Sequence, residues 1–306
     1  MTAKVLKSVG SLYTVCNDNN EIVTCKLKGK LRLKDFDSTN PIAVGDNIEY
    51  EWDEVAGHGL ITDVLPRHNY IVRKSVNLSK QKQILASNID LAFLIVTPLY
   101  PRTSTGFIDR FIATAEAYHI TPVLVFNKAD LFEGDGELLM EEYFKIYKPL
   151  DYKCIIASAI NGKGIEEIKT LMHNKTSLFA GHSGVGKTTL INAIQPALNL
   201  RTGKISDQHA KGKHTTTFAE MFLLDFGAYI IDTPGIRDLG TVDFVPQEIS
   251  HYFVEMRERI HDCKFNNCLH ENENNCAIKQ AVADGEIHPS RYYNYLSMLH
   301  NEDNYK

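Results

Sequence analysis

A short run near the middle of the chain has the residue types and spacing that bind phosphate. Glycine lets a backbone loop approach a polyphosphate closely with its N–H groups pointing inward. In the pattern G-x-x-x-x-G-K-[ST], the lysine reaches the β- and γ-phosphates and the hydroxyl group binds Mg²⁺. The run that fits this pattern is Gly181, His182, Ser183, Gly184, Val185, Gly186, Lys187 and Thr188. We assign these residues, with Thr189, to a nucleotide site in preference to a chance glycine-rich turn.

The segments on either side of this loop support the assignment. Residues 176–180 are a short apolar run, which predicts a strand leading into the loop. Residues 189–194 predict a helix leading out of it, and that helix must end before Pro196. The positive end of the helix dipole then points at the phosphates.

An upstream motif has the chemistry to recognise the base. Asn127, Lys128, Ala129 and Asp130 have the form N-K-x-D. The carboxylate of Asp130 can accept two hydrogen bonds from the N1–H and N2–H₂ groups of guanine, whereas adenine leaves the carboxylate unpaired. The stem of Lys128 can lie over the base, and Asn127 can tie this segment to the phosphate loop. An ordinary strand-end turn with a solvated aspartate is the alternative, because four residues carry little information.

Two downstream segments have the residues needed to bind Mg²⁺ and the γ-phosphate. Residues 211–217 form a loop rich in glycine, lysine and threonine, which can close on both groups; a polar surface loop is the alternative. Among its three threonines we assign Thr216 to Mg²⁺, together with Thr188. Asp232 and Gly235 begin and end a D-x-x-G motif, in which the aspartate binds Mg²⁺ through water and the glycine N–H contacts the γ-phosphate.

Strands alternate with helices from Ile89 onward. This order predicts a doubly wound α/β sheet, in which ligands bind at the carboxyl ends of the strands. Ser158 and Ala159 follow one of these strands and can present a backbone N–H to guanine O6. The apolar runs that predict buried parallel strands are residues 91–96, 123–126 and 154–157.

The N-terminal residues 1–66 predict an all-β domain of about five short strands, which fits an oligonucleotide-binding barrel. A strand over residues 26–34 places alternate side chains on one face. That face carries Lys26, Lys28, Lys30, Arg32 and Lys34. An RNA contact and a solvated face balanced by nearby carboxylates are equally good interpretations of this pattern.

The C-terminal region contains a cysteine and histidine cluster that predicts a metal site. Cys263, Cys268, His270 and Cys276 lie within fourteen residues, and three thiolates with one imidazole form a closed tetrahedral set typical of structural Zn²⁺. His261 is a competing ligand, but His270 fits the tighter loop. Residues 246–260 predict a helix before the cluster, with proline in its first turn.

Bulk properties exclude several classes of protein. The chain has 306 residues and a formal net charge of −5, so any RNA contact must come from a local patch. It contains no run of eighteen apolar residues and no apolar signal core at its N-terminus, so we expect no transmembrane helix and a cytoplasmic location. Its six cysteines are then not expected to form disulfides.

The order of the nucleotide motifs is unusual. The guanine motifs precede the phosphate loop, the switch threonines and D-x-x-G, whereas ordinary GTPases begin with the phosphate loop. This is a circular permutation. With the N-terminal barrel and the late Cys/His cluster, the chain resembles the bacterial RsgA family of small ribosomal subunit biogenesis GTPases over nearly its whole length.

The resemblance implies a molecule of three parts. These are an oligonucleotide-binding (OB) domain over residues 1–66, a permuted GTPase over 67–240 and an α-helical zinc domain over 241–306. It implies a cytoplasmic, monomeric GTPase that binds the small ribosomal subunit and its rRNA, is stimulated by it, and hydrolyses GTP during late subunit maturation. The implied cofactors are one structural Zn²⁺ and Mg²⁺ with GTP. A nucleotide-gated RNA-binding protein with incidental hydrolysis is the alternative.

One departure from ordinary GTPases affects the catalytic step. Ile236 follows D-x-x-G, where many GTPases have the glutamine that orients the attacking water. An apolar side chain cannot orient water. The resemblance implies that His214, just before the switch threonines, has this role, and imidazole is suited to it near neutral pH.

Overall fold

The computed structural model describes residues 1–28, 42–74, 82–198, 219–232 and 244–302. The chain divides into two compact units. The first consists of the described parts of Met1–Ala92, Lys169–Phe179 and Ala197–Arg237. The second consists of the described parts of Phe93–Ile168, Ala180–Pro196 and Asp238–Lys306.

The N-terminal part of the first unit is a small barrel. Its strands are β1 (Thr2–Val9), β2 (Leu12–Asn17), β3 (Ile22–Leu27), β4 (Asn47–Asp53) and β5 (His58–Val64). The ring closes because β1 pairs with both β2 and β4, while β3 pairs in parallel with β5. Alternation sets the two faces of β4, since Ile48 and Tyr50 are buried while Glu49 and Glu51 are exposed. The predicted barrel is therefore confirmed, and the basic strand beyond Lys28 lies outside the described residues.

Three GTPase strands belong to the same unit as the barrel. They are β11 (Thr176–Ala180), β12 (Glu220–Leu223) and β13 (Tyr229–Asp232). β13 pairs in parallel with β11 and antiparallel with β12, and β12 pairs with β1 at Lys7 and Glu220. A separate two-stranded sheet contains β6 (Tyr70–Lys74) and β7 (Lys82–Ser87).

The second unit contains the strands that end in the guanine motifs. The sheet order there is β10-β9-β8, with β8 at Leu91–Val96, β9 at Thr121–Phe126 and β10 at Lys153–Ile156. β9 and β10 are parallel, as the apolar runs predicted. The accompanying helices are α1 (Thr105–Ala117), α2 (Asp135–Tyr147), α3 (Ile165–Met172) and α4 (Lys187–Ile194).

The C-terminal part of the second unit is helical. A 3-10 helix at Pro246–Tyr252 precedes α5 (Val254–Arg257), α6 (Ala277–Ala283) and α7 (Pro289–Leu299). The prediction of one helix over 246–260 is wrong, because Phe253 is extended (φ −104°, ψ 107°) and interrupts it. That conformation accompanies complete burial of the Phe253 side chain in the core of this region. In the described part of the chain, no helix has the length and apolar character needed to cross a membrane.

Candidate nucleotide and metal sites

The phosphate loop joins β11 to α4, as its sequence predicted. Two of its glycines are needed because atoms of neighbouring segments lie too close for a side chain. A Cβ at Gly181 (φ 141°) would lie 2.6 Å from the carbonyl oxygen of Ile95, and one at Gly186 (φ 90°) would lie 2.6 Å from Asn127 Nδ2. A larger residue at Gly181 would clash with the backbone of Ile95, and one at Gly186 would displace the Asn127 side chain that contacts the loop.

The polar side chains of this loop lie at the start of α4. The Lys187 ammonium donates to the carbonyl oxygens of Gly181 and His182, the latter at 3.1 Å. Thr188 and Thr189 occupy the first turn of α4, where the helix dipole favours bound anions. The loop therefore brings one cation, two hydroxyl groups and a helix N-terminus to one place.

The N-K-x-D motif lies against the phosphate loop. Asn127 Nδ2 donates to the carbonyl oxygen of Val185 at 2.9 Å, which joins segments 58 residues apart. Lys128 has a left-handed backbone (φ 64°), and its ammonium donates to the carbonyl oxygen of Tyr100 at 2.7 Å. The N-K-x-D motif and the phosphate loop thus lie together within the second unit.

The two guanine motifs contact each other at the ends of neighbouring strands. Ser158 Oγ donates to Asp130 Oδ1 at 2.5 Å, and the backbone N–H of Ala129 donates to the carbonyl oxygen of Ala157. Ser158 is buried, whereas Asp130 is half-buried and stays open to a ligand. The hydrogen bond from Ser158 orients the Asp130 carboxylate. Ala159 follows Ser158 directly in the chain.

The phosphate loop also contacts α1, which the sequence did not predict. The rings of Phe107 and His182 lie 3.8 Å apart between centroids. Burial, with a smaller contribution from the Lys187 ammonium, lowers the pKa of His182, so its imidazole is neutral near pH 7. In the sequence Phe107 has the spacing of an ordinary helical core residue, so no local pattern predicts its contact with the phosphate loop.

The four predicted zinc ligands converge in the second unit. Their ligand atoms all lie within 4.8 Å of one another. Cys263 Sγ is 3.6 Å from His270 Nδ1 and 3.9 Å from Cys276 Sγ, and His270 Nδ1 is 3.4 Å from Cys276 Sγ. Zn–S bonds of about 2.3 Å and Zn–N bonds of about 2.0–2.1 Å place tetrahedral ligands about 3.5–3.8 Å apart. The Cys₃His set, completed by Cys268, therefore fits zinc.

Hydrogen bonds from α7 hold the loop that carries the ligands. Tyr292 donates its hydroxyl proton to the carbonyl oxygen of His270 at 2.6 Å, and Tyr295 donates to that of Leu269 at 2.7 Å. Glu273 accepts from the backbone N–H of Leu269 at 2.7 Å. His261 lies outside the group of converging ligand atoms.

Comparison with known proteins shows the family of the chain. The RsgA GTPase model matches residues 64–242, more than half of the chain, and the RsgA N-terminal domain model matches residues 2–61. The chain belongs to the RsgA GTPase family. The resemblance drawn from the motifs is confirmed, and with it GTP hydrolysis as the activity.

RsgA relatives match over nearly the full chain. A small ribosomal subunit biogenesis GTPase RsgA from Flavobacterium psychrophilum is 52% identical over 308 residues, covering 99% of this chain and 94% of its own. The protein of the same description from Christiangramia forsetii is 51% identical over 309 residues, covering 100% and 98%.

Two solved structures share the fold of this RsgA-family chain. YjeQ from Thermotoga maritima superposes with a TM-score of 0.80 at 36% identity, covering 100% of this chain and 99% of its own. YloQ, described as a circularly permuted GTPase, has a TM-score of 0.78 at 28% identity and covers 100% and 96%. The permuted fold predicted from motif order is confirmed.

Some predicted site residues of this RsgA-family chain cannot be placed. His214, Thr216 and Gly235 lie outside the described residues. Asp232 is the last residue of β13, where its backbone pairs with Glu220, and its side chain also lies outside the description. Their assignment to Mg²⁺, the γ-phosphate and catalysis stays a prediction.

A buried ionic network joins the C-terminal region to α1. Arg291 donates to Asp109 at 2.7 Å and to both carboxylate oxygens of Glu255 at 2.7 and 3.0 Å. Asp109 also accepts from the Tyr147 hydroxyl at 2.9 Å and from the Asn294 amide at 2.6 Å. The three charged side chains are at most 4% exposed. This network was not predicted, because in sequence each residue has the appearance of a surface helix position.

Proposed function

We propose that this GTPase binds the small ribosomal subunit and acts in its late maturation, with hydrolysis of GTP to GDP and phosphate stimulated by that particle. Two observations support the proposal. The relatives that match nearly the whole chain are small ribosomal subunit biogenesis GTPases. Asn127 of the N-K-x-D motif contacts Val185 of the phosphate loop, and this contact is the main structural support for a nucleotide site.

We assign the residues of the site by their chemistry. Asp130 reads the guanine N1–H and N2–H₂ edge, Lys128 covers the base, and Lys187 contacts the β- and γ-phosphates. Thr188, Thr216 and Asp232 would hold Mg²⁺, which when bound would supply positive charge that stabilises the phosphates.

The water that attacks the γ-phosphate needs a polar side chain to orient it. Ile236 cannot do so, and we assign the role to His214. Contact with the small subunit brings the segment that carries His214 to the nucleotide. Hydrolysis is therefore slow in the free protein and fast on the particle.

The RNA-binding surface and the domain plan are part of the proposal. The barrel binds rRNA through the basic face that starts at Lys26, and the domains are residues 1–66, 67–240 and 241–306. The protein acts as a monomer in the cytoplasm. Its zinc is structural, because a closed four-ligand set leaves no position for substrate.

The deciding experiment measures GTP turnover with and without purified small ribosomal subunits. We expect strong stimulation in the parent, and a loss of stimulation in His214→Ala with GTP affinity nearly intact. Retained stimulation in His214→Ala would show that another group orients the water. Equal turnover with and without subunits in the parent would support the alternative, a nucleotide-gated RNA-binding protein with incidental hydrolysis.

A further inference from the structure

A polar cavity in the second unit is lined in part by Cys268 and His270, two of the predicted zinc ligands. Its volume is about 500 Å³, within the range of about 300–1,000 Å³ that small-ligand sites occupy. One wall comes from the 3-10 helix Pro246–Tyr252 and the other from the chain between Ile260 and His270. The nucleotide site and the ionic network contribute no residue to this lining.

The lining combines the phenyl ring of Phe265 with amide and imidazole side chains and the carboxylate of Glu248. Phe265 is 44% exposed, and the Lys264 ammonium lies 5.4 Å from the centroid of its ring. The amide and imidazole side chains around it are those of Gln247, His251, His261, Asn266 and Asn267. Amides and imidazoles both donate and accept hydrogen bonds, so they suit a ligand with a mixed polar edge.

We propose that this cavity binds one unpaired nucleotide of RNA. The inference rests on the proposed function, since the partner there is a ribonucleoprotein particle. Bases that are free of a duplex stack on aromatic side chains and are hydrogen-bonded along their edges, and Phe265 with its surrounding amides offers both interactions. Protein interfaces are anchored by clusters of large apolar and aromatic side chains. The largest apolar side chains in this lining are Phe265 and Ile260, and the rest is mostly polar, so a protein partner is less suited to the cavity.

The charges around the cavity orient the nucleotide. Glu248 lines the wall and accepts a hydrogen bond from the Tyr252 hydroxyl at 3.3 Å. Its carboxylate repels phosphate and attracts an exocyclic amino group, so the phosphate lies toward Lys264. Adenine, guanine and cytosine have such an amino group, whereas uracil has carbonyl oxygens on both sides of its N3–H. The cavity therefore prefers amino-bearing bases to uracil.

Photo-crosslinking tests the site directly. Benzoylphenylalanine replaces Asn266 in the full-length, zinc-loaded protein, and the matched control carries it in place of Tyr293, an exposed aromatic residue of α7 outside the cavity lining. The proteins are irradiated with small subunits and a non-hydrolysable GTP analogue. We expect an adduct with unpaired rRNA from position 266 and none from position 293. An adduct with a ribosomal protein, or no adduct although the particle co-sediments, overturns the proposal.

A second arm separates failure of the cavity from failure of the proposed function. If the small subunit does not co-sediment with the protein, the proposed function fails. Irradiation with the oligonucleotides rA₈ and rU₈ then still tests whether the cavity binds RNA. We expect an rA₈ adduct at position 266, a weaker one with rU₈, and about a tenfold lower yield when Phe265→Ala removes the stacking ring. No adduct with rA₈, or a yield unchanged by Phe265→Ala, overturns the proposal. Zinc content confirms that the ligand loop is intact in each variant.

Discussion

The side chain of Asp130 illustrates how single residues prepare the nucleotide site. Its carboxylate accepts from Ser158 Oγ, and Asn127 in the same motif donates to the phosphate loop. The ends of strands β9 and β10 therefore hold the N-K-x-D motif, to which we assign base reading, against the phosphate loop. Such positioning matters because a carboxylate that meets the wrong base edge loses its hydrogen bonds.

Replacing Asp130 should change which purine the protein prefers. The amide of asparagine has one acceptor oxygen where the carboxylate has two, and its nitrogen donates instead. We expect Asp130→Asn to weaken GTP binding about 10- to 100-fold and to improve binding of xanthosine triphosphate, whose C2 carbonyl accepts from the amide. Competition against labelled GDP measures both affinities. Asp135→Asn, an exposed position on α2, is the control and should change neither. Unaltered preference in Asp130→Asn would show that this carboxylate does not read the base.

At the scale of elements, helix α1 contacts both the phosphate loop and the C-terminal region. Phe107 near its start stacks on His182, and Asp109 half a turn later binds Arg291 of α7. Two carboxylates, Asp109 and Glu255, share this one arginine. Burial raises the pKa of Asp109 even though Arg291 acts to lower it.

Removing Arg291 should be costly. Arg291→Ala leaves two buried carboxylates without their counter-ion, and we expect the free energy of unfolding to fall by about 3–5 kcal/mol. Asp109→Asn keeps the shape and leaves a balanced Arg–Glu pair, so we expect a smaller loss. Arg257→Ala breaks an exposed pair with Glu116 and should cost about 0–1 kcal/mol. Urea unfolding monitored by circular dichroism measures all three. Equal losses in the Arg291 and Arg257 variants would contradict the structural assignment.

The C-terminal helices also depend on the metal ligands. The ligand loop is held by Tyr292 and Tyr295, so loss of zinc should loosen the helices that pack beside it. We expect chelation, or Cys268→Ser, to remove about one equivalent of zinc and to lower the unfolding temperature. Cys154→Ser is the control, since burial raises the pKa of the Cys154 thiol to about 11 and keeps it neutral. Atomic absorption and thermal melts report the result; zinc retained by Cys268→Ser would disprove the ligand set.

At the scale of the whole molecule, the barrel and the GTPase hairpin share one unit. Strand β1 of the barrel pairs with β12 at Lys7 and Glu220, whose side chains also form an ion pair of 2.9 Å. Lys4 on the same strand donates to Thr176 at 3.1 Å and lies over the ring of Tyr229. Burial lowers the pKa of Lys4, although Asp90 acts to raise it. The first strand of the chain thus supports strands that lie more than two hundred residues further on.

The net charge of the whole molecule bears on the RNA contacts of the proposed function. The protein is acidic overall, so that function needs local basic groups, among them Lys26 of the barrel, to contact the RNA phosphates. We expect Lys26→Gln to weaken binding to small subunits and to reduce the slope of log affinity against log salt by about 1. Lys163→Gln, an exposed lysine of the second unit, should leave the slope unchanged. Co-sedimentation at a series of salt concentrations gives the slope for each variant. Identical slopes for the two variants would show that Lys26 belongs to a solvated face and does not contact RNA phosphate.

The sequence by itself determined the motifs whose geometry is local. The phosphate loop, N-K-x-D and the Cys/His cluster each lie within fourteen residues or fewer, and glycine conformation, helix starts and ligand spacing are properties of such short runs. The order of these motifs was enough to predict the permuted fold and the family.

Only the tertiary structure decided which distant residues meet. Arg291 and Asp109 are 182 residues apart, and neither carries a local sign that it is buried with the other. The break at Phe253 and the stacking of Phe107 on His182 have the same origin, since both depend on surfaces contributed by other segments. Short-range patterns specify backbone conformation, whereas burial and ion pairing depend on how packed elements exclude water, and that is a property of the complete fold.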